Sequence, residues 1–506
     1  VEGALIVTMT DPERIPVIIG VGQVNDRPAD PDEGLDSLGL MVAALRQADA
    51  DAGGGLLTDL DSLAIVDQIS FHSLGKLPEP LAAAIGATPA INYQSAAPHG
   101  DTPVRLLNEA ANRIGAGEVK LAAIVGAEAL RTAAGRAAKA ASGEDKSYNA
   151  IRKVATRREP NYAQLHGLAA PVDVYPLYEN ATRAAWGQSL AEAQFESAEI
   201  WSRFSEVAAE NDGAWIRRPA SPADILKIDE RNRPIAFPYS KLMVANSSVN
   251  QGAGFIVASL AEAWRRGIPE GRLIHIGMGA AAKEPASILH RDRYDGSVSM
   301  ETSINRTLEL NGMSAEDFDF VELYSCFPCV PKMARRILGW PWDRPATVFG
   351  GLTFGGGPIA NYMSHAIVSM VEKLREEGRY GFLFANGGFA TDNHCIVLGN
   401  RPIAAASFPQ DFDYQVEAEA KRGPVPELVE DYAGPATIES YTVFYGRDGA
   451  PKAGVVVART PDGKRTLAHV DVSDTTMLAF LTDGTQEPVG TAGQVVALEE
   501  GFGWRA

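Results

Sequence analysis

The chain has 506 residues, of which 45% are hydrophobic and 22% charged, with a formal net charge of −18. That is ordinary globular composition with room for more than one domain, and the acidic balance argues against nucleic acid or an anionic membrane as the main partner. Three cysteines, Cys326, Cys329 and Cys395, exclude a disulfide framework and fit a reducing cytoplasm, and no apolar run reaches the ~20 residues a bilayer span needs.

Val1–Pro16 lacks the apolar core of a signal peptide and reads as a loose tail. Val17–Val21 reads as a buried strand ending at Gly22. Leu38, Met41, Val42 and Leu45 give Leu35–Gln47 helical spacing, and Ser62–Val66 is a second short strand. Asn92–Gly126 then reads strand, tight turn, helix, strand. Thr102 fits an N-cap and Pro103 the first helical position. Val104, Leu107, Ala111 and Ile114 recur on one face, Gly115 and Gly117 end the helix, and Val119–Val125 is a strand buried on both faces. The turn Ser95–Asp101 therefore precedes a buried helix, whose free N–H groups suit a nucleophile or an oxyanion. No cysteine stands there.

From Arg131 the charge reverses. Arg131, Arg136, Lys139, Lys146, Arg152, Lys153, Arg157 and Arg158 face only Glu144 and Asp145 within Arg131–Arg158. This stretch is either a solvated loop or a phosphate-binding surface. Asp173–Gly213 is mostly helical, with Trp186, Phe195, Ile200 and Phe204 expected in the core, and Arg217–Lys241 is irregular. Ala245–Ser259 is a polar turn feeding a buried strand.

A second half opens with the strand Leu273–Gly277 and the helix Ser303–Asn311. The strand Phe318–Leu323 runs into Tyr324–Cys329. Phe349–Pro358 is a Gly-rich turn, Ile359–Arg375 a helix, Gly381–Phe384 a strand and Asn386–Gly388 a turn. The order of His99–Gly126 recurs in Gly355–Gly387, so two similar α/β halves with mainly parallel pairing are predicted. Arg401–Gly434 reads as a linker. Beyond it Ile438–Tyr445, Ala453–Ala458, Arg465–Val470 and Val495–Leu498 are short strands between Gly turns, which predicts a small barrel of the OB kind.

The repeated turn–helix unit, the segment Asn250–Ser259 (NQGAGFIVAS), Cys326–Phe327 and the turn ending Gly355–Gly356–Gly357–Pro358 together resemble the thiolase superfamily. The likeness spans roughly residues 14–401 and is greatest to thiolase-like proteins of type 1, which carry an added C-terminal domain. The resemblance implies a duplicated α-β-α-β-α core: residues 14–128 and 243–270 as one half and 271–400 as the other. A loop domain, 129–242, is inserted in the first half and contacts coenzyme A. A linker, 401–434, and an added β domain, 435–506, follow. CoA or acyl-CoA is expected as a ligand rather than a tightly bound cofactor, with Arg152, Arg157, Arg158 and Ser247 as contacts. No metal is expected, and the protein is expected as a monomer or homodimer.

At the catalytic positions the chain departs from the family it resembles. The thiolase nucleophile matches Ala97, the motif histidine Gly357 and the second cysteine Asn386. Cys326 is kept, and Tyr324 replaces the asparagine or histidine two residues before it. Losing a nucleophile that acts within a unit costs roughly 10⁶-fold, or about 8 kcal/mol of barrier. Ordinary thiolysis or condensation is therefore not expected.

His99 is either a hydrogen-bonded turn residue or a catalyst. Cys326 and Cys329, with His394 and Cys395, would allow a zinc reading, but the motif match already accounts for Cys326. Tyr324 resembles the tyrosine of steroid side-chain aldolases, whose motif is Tyr-Asp-Cys-Phe and which associate with a separate OB-fold protein. Here Ser325 replaces the aspartate, and their second tyrosine would fall at Gly357, with Tyr362 one helical turn on. Otherwise Tyr324 simply lines a pocket. The expectation is an acyl-CoA-binding protein without standard thiolase activity. The alternatives are a retro-aldol lyase on a β-hydroxyacyl-CoA using Tyr324, and a non-catalytic interaction scaffold.

Overall fold

A computed structural model describes residues 11–141, 160–499 and 501–505. In chain order the strands of the first half are β1 (Pro16–Asn25), β2 (Ser62–Ile65), β3 (Ile91–Gln94) and β4 (Leu121–Ala129). The inserted segment contributes β5 (Pro234–Ala236) and β6 (Tyr239–Ser240), and β7 (Asn250–Ser259) completes the half. The second half holds β8 (Ile274–Lys283), β9 (Phe320–Leu323), β10 (Tyr380–Gly387) and β11 (Asp392–Gly399). The apolar runs of β4, β7 and β11 are buried along their whole length because helices cover both faces of the sheet.

One nine-stranded sheet runs β3-β2-β4-β7-β1-β8-β11-β10-β9. The halves join where β1 and β8 pair at Val17–His275 and Ile18–Ile274. From β2 the order β2-β4-β7-β1 repeats as β9-β10-β11-β8, with the same parallel, antiparallel, antiparallel sequence of pairings. The echo between the two turn–helix units is thus a structural duplication. The helices Thr102–Ala116 and Tyr362–Glu376 pack on each other and on strands of both halves, so they form the shared central layer.

The expectation of mainly parallel pairing is corrected. Within the described nine-stranded sheet only β2–β3, β2–β4 and β9–β10 run parallel. β11 returns from β10 through the tight turn after Gly387, and a strand joined by so short a connection has to run antiparallel. Phe195 is also corrected: it is 52% exposed, while Trp201 and Phe204 are buried. At 100° per residue it falls opposite the buried stripe of the Leu190–Glu210 helix. The supposed linker holds a helix, Gln415–Lys421, packed on the Val298–Asn311 helix.

The C-terminal strands are β12 (Gly434–Tyr445), β13 (Pro451–Arg459), β14 (Arg465–Asp471), β15 (Ala492–Ala497) and β16 (Phe502–Arg505). They close into a five-stranded barrel in the order β13-β14-β16-β15-β12, with β12 paired back to β13. β16, absent from the sequence reading, makes the closing parallel contact with β14 at His469–Gly503. The barrel core is apolar, with Ile438, Val443, Val456 and Trp504. The barrel sheet extends through β12 into β5 at Phe444–Ala236.

Polar anchors hold the barrel to the rest of the chain. Arg465 is fully buried and donates from Nη1 to the carbonyls of Leu289 and Arg291 at 2.7 and 2.6 Å, and from Nε and Nη2 to Glu439. Ser440 Oγ donates to Leu177 O at 2.6 Å, and Asn180 Nδ2 donates to Tyr441 O at 2.9 Å, both on the inserted helix Pro171–Ala185. Replacing Arg465 by alanine leaves two buried carbonyls without that donor and leaves Glu439 with Arg459 alone. Arg465→Ala is expected to cost about 3–5 kcal/mol in urea denaturation. It is also expected to make the barrel the first part released by limited proteolysis.

Candidate functional site

The helix at the first turn begins at Thr102, and its N-cap is Asp101, one residue earlier than expected; Pro103 is in the first turn. Asp101 makes no capping bond. Its carboxyl is 5% exposed and accepts no hydrogen bond among the described residues. Gly100, just before it, is where the halves touch. A Cβ built there would lie 2.1 Å from Asn386 O and 2.6 Å from the Tyr324 hydroxyl. Only glycine tolerates that approach.

Beside this contact lies a cavity of about 410 Å³. Pro98 and Gly100 come from the first turn, Tyr175 from the inserted helix and Ser247 from the approach to β7. Tyr324 and Cys326 follow β9, Gly357 and Ile359 come from the Gly-rich turn, and Asn386 from β10. Five residues picked out along the sequence, Ser247, Tyr324, Cys326, Gly357 and Asn386, therefore meet at one cavity.

Tyr324 donates its backbone N–H to Phe384 O at 3.1 Å, and its ring stands edge-on to Tyr362. Its hydroxyl faces Gly100 and makes no hydrogen bond among the described residues. Burial holds the phenol well above its ordinary value, and the nearby Cys326 and Asp101 push it further. It stays protonated and is a hydrogen-bond donor to whatever enters. Tyr362 is not such a donor, since it is fully buried and its hydroxyl is held by Glu322 at 2.6 Å.

Cys326 has its thiol pushed up to about 12 by burial. Cys329 lies against Tyr175 O, Cys395 against Ser303 Oγ, and His394 Nε2 against Asn108 Oδ1. These four residues face different partners and form no zinc set. Asn386 is wholly engaged: Oδ1 accepts from the Tyr175 hydroxyl at 2.9 Å, and Nδ2 donates to Asn393 Oδ1 at 2.9 Å. Gly357 donates to Asn246 O at 2.8 Å, and a Cβ on it would sit 3.3 Å from two carbonyl oxygens. Two residues on, Ile359 has φ of 42°, a left-handed conformation rare for a β-branched residue.

Two sequence candidates stand elsewhere. Ala97 is not part of the cavity wall, where Pro98 takes its place. His99 is exposed and turned away, with Nδ1 2.9 Å from Asp392 Oδ2. The hydrogen bond with Asp392 raises its imidazole. Burial alone would raise Asp392, but His99 and Lys283 hold it down at about 2. His99, Asp101 and Asp392 bring ligand atoms within 4.8 Å of one another. The Lys283 ammonium, 2.9 Å from Asp392, already supplies the countercharge, so this set suits a cation poorly.

Arg152, Arg157 and Arg158 lie outside the described residues. In the described part of the basic stretch, Arg131 stands near Arg27 and Arg217: burial lowers the Arg27 guanidinium, and these like charges lower it further. Sequence reasoning missed Asp101, Tyr175 and Asp392. An acidic residue directly before a Thr-Pro helix start was a readable sign of the first. Nothing local marked the other two.

A family model described as the thiolase-like protein type 1 additional C-terminal domain matches residues 415–500, so that unit begins at the Gln415–Lys421 helix. No curated protein matches the chain by sequence. Among solved structures, the chain is similar to a monomeric SCP2-thiolase like protein type 1 from Mycobacterium smegmatis. The identity is 30% over 98% of this chain and 100% of that one, with a TM-score of 0.81. The Ltp2-ChsH2(DUF35) aldolase shares 18% identity over 76% of this chain and 97% of that one, at a TM-score of 0.57. Human mitochondrial 3-ketoacyl-CoA thiolase in complex with CoA shares 13% over 77% and 99%, at 0.55. The last two likenesses concern the fold.

Gly100→Ala is expected to cost about 3 kcal/mol in chemical denaturation, because the obstructing groups are a backbone carbonyl and a buried ring. Cys326 is expected to resist iodoacetamide at pH 7.5, reacting about 10³-fold more slowly in native than in unfolded protein. Mass spectrometry of the alkylated peptide checks it.

Proposed function

Because the chain belongs to the SCP2-thiolase-like proteins of type 1 in the thiolase superfamily, we propose that it binds an acyl-CoA thioester in the cavity at Gly100 and does not run the standard thiolase reaction. One observation carries this reading. The cavity gathers the positions that resemble the thiolase motifs, yet its described wall holds no ionised thiol and no imidazole: Cys326 is a neutral thiol, Asn386 is engaged on both sides and Gly357 has no side chain. The cavity lies at the N-terminus of the Thr102–Ala116 helix, a place that favours a thioester oxygen carrying partial negative charge.

The acyl end is assigned to Tyr324, Cys326 and Phe327, and the pantetheine arm to Ser247 and Val244. The CoA phosphates are assigned to the basic stretch from Arg131 to Arg158, with Arg152, Arg157 and Arg158 as leading contacts. CoA bound to a thiolase of the same fold supports the ligand class. A monomer is the preferred state, as in the type 1 protein from Mycobacterium smegmatis. No described helix is long and apolar enough to cross a membrane.

A second reading is a retro-aldol lyase acting on a β-hydroxyacyl-CoA. The observation that favours it is the Tyr324 hydroxyl, unpartnered and aimed at the cavity beside Gly100. In the aldolase of related fold two components, Ltp2 and ChsH2(DUF35), are named together. This chain carries a barrel of its own.

Isothermal titration with acetyl-CoA is expected to show binding. Arg152→Ala, Arg157→Ala and Arg158→Ala together are expected to weaken it at least about tenfold, since charge-assisted contacts contribute roughly 1.5–3 kcal/mol each. Tyr324→Phe is expected to leave affinity nearly intact and to abolish any cleavage of a β-hydroxyacyl-CoA. Acetoacetyl-CoA is expected to keep its enolate absorbance when mixed with enzyme and CoA. Turnover at ordinary enzyme rates would refute the proposal, and no binding of any CoA species would leave a scaffold.

A further inference from the structure

The lyase reading leaves a proton without a destination. Breaking the C2–C3 bond of a β-hydroxyacyl thioester needs a base for the C3 hydroxyl and an acid for C2. Tyr324 is held protonated by burial, and the described cavity wall contains no carboxylate or imidazole.

The carboxylate whose charge reaches the Tyr324 phenol is Asp101. It follows Gly100, against which the phenol hydroxyl packs. Its Oδ1 lies 3.4 Å from the point where a Cβ on Gly387 would stand, so it flanks the cavity wall. On its other side is a second cavity of about 320 Å³, bounded by Arg105, Lys283, Asp392, His394 and Phe412. A single turn of chain separates the two cavities. Asp101 is nine-tenths buried, caps nothing and accepts no hydrogen bond among the described residues. Its carboxylate lines the second cavity, so the group that flanks the first cavity also opens onto the second.

We propose that Asp101 is the proton acceptor of this site, working through the Tyr324 hydroxyl and reaching solvent by the second cavity. The proposal rests on the lyase reading. The C3 hydroxyl passes its proton to the Tyr324 oxygen as the phenol proton moves to Asp101 by way of one bridging water, since the two side chains share no hydrogen bond among the described residues. The C2–C3 bond breaks, its electron pair goes to C2, and C3=O forms. The proton then returns from Asp101 through Tyr324 to C2, so none is gained or lost. Asp101 acts through another residue and is therefore a positioning and relay group.

Its surroundings suit the task. Burial and the charge of Asp392 push Asp101 up to about 6, against the opposing pull of Arg105, Lys283 and His99. Asp413 and His394 complete the ionisable groups lining the second cavity. Near neutral pH the carboxyl is ionised yet more basic than an ordinary aspartate.

Two readouts on one set of variants test this. The first is cleavage of a 3-hydroxyacyl-CoA between pH 5 and 8. The second is deuterium uptake at C2 of propionyl-CoA in deuterium oxide, which needs proton transfer to and from C2 and no carbon–carbon cleavage. Asp101→Asn is expected to lower kcat and exchange about 100-fold, with KM nearly unchanged, and to erase a rise in rate with pH through about 6. Asp101→Glu is expected to restore about a tenth or more of the rate, with the inflection. Asp101→Asn is also expected to melt no lower than wild type at pH 7.5, since it removes an unpartnered charge. Rates within about threefold of wild type in Asp101→Asn overturn the proposal, as does a clearly lower melting temperature, which would make Asp101 structural. Exchange without cleavage in the wild type, lost in Asp101→Asn, refutes the lyase reading alone and supports the relay. Neither reaction with a bound thioester refutes both.

Discussion

The site depends on a contact closer than any side chain permits. At Gly100 the first turn meets the end of β10 and the tyrosine that follows β9, so the two halves of the duplicated core touch backbone to backbone and backbone to ring. Hydrogen at Cα is what allows it. A methyl group there would have to move a carbonyl of a buried strand or a buried phenol, and close-packed interiors yield little to such demands. The same contact fixes where the Tyr324 hydroxyl points and gives the cavity its inner end.

Around that contact stand groups that support one another by hydrogen bonds. Asn386 carries no thiol; it bridges the Tyr175 hydroxyl to Asn393, which donates on to Ser299 Oγ at 2.7 Å. Tyr175 belongs to the inserted helix, and the barrel grips that helix at Leu177 and Asn180. Support therefore runs from the barrel through the helix to the wall of the cavity, although no barrel residue is part of the wall. Buried Arg465 ties the barrel to the second half and keeps the chain of support stiff.

The charges around the turn are divided. On the cavity side, burial keeps Tyr324 and Cys326 neutral. On the far side stand Asp101, Asp392, His99 and Lys283, paired or balanced against one another. Ionisable groups whose surroundings push them apart are the material of acid–base chemistry, whereas a thiolase-type attack needs a thiolate that this cavity does not hold.

Much of this was legible in the amino-acid sequence because it is encoded locally. The duplication follows from two turn–helix units of like order, and the barrel from short strands between Gly turns. That no cysteine precedes Cys326 is visible directly. Periodicity and residue type carry such facts without reference to distant parts of the chain. Directions and partners were not legible. His99 and Asp101 sit in one turn, yet one faces solvent and Asp392 while the other is buried, because residues from β8 and β11 decide which pocket each meets. Tyr362 looked available at helical spacing and is consumed by Glu322 across the core. The antiparallel return of β11 and the closing contact of β16 arise from pairing between segments far apart or sharply turned. Local preference determined which elements exist and which side chains are present; long-range packing decided which of them meet, since burial and hydrogen-bond partners belong to the folded neighbourhood and not to any single stretch.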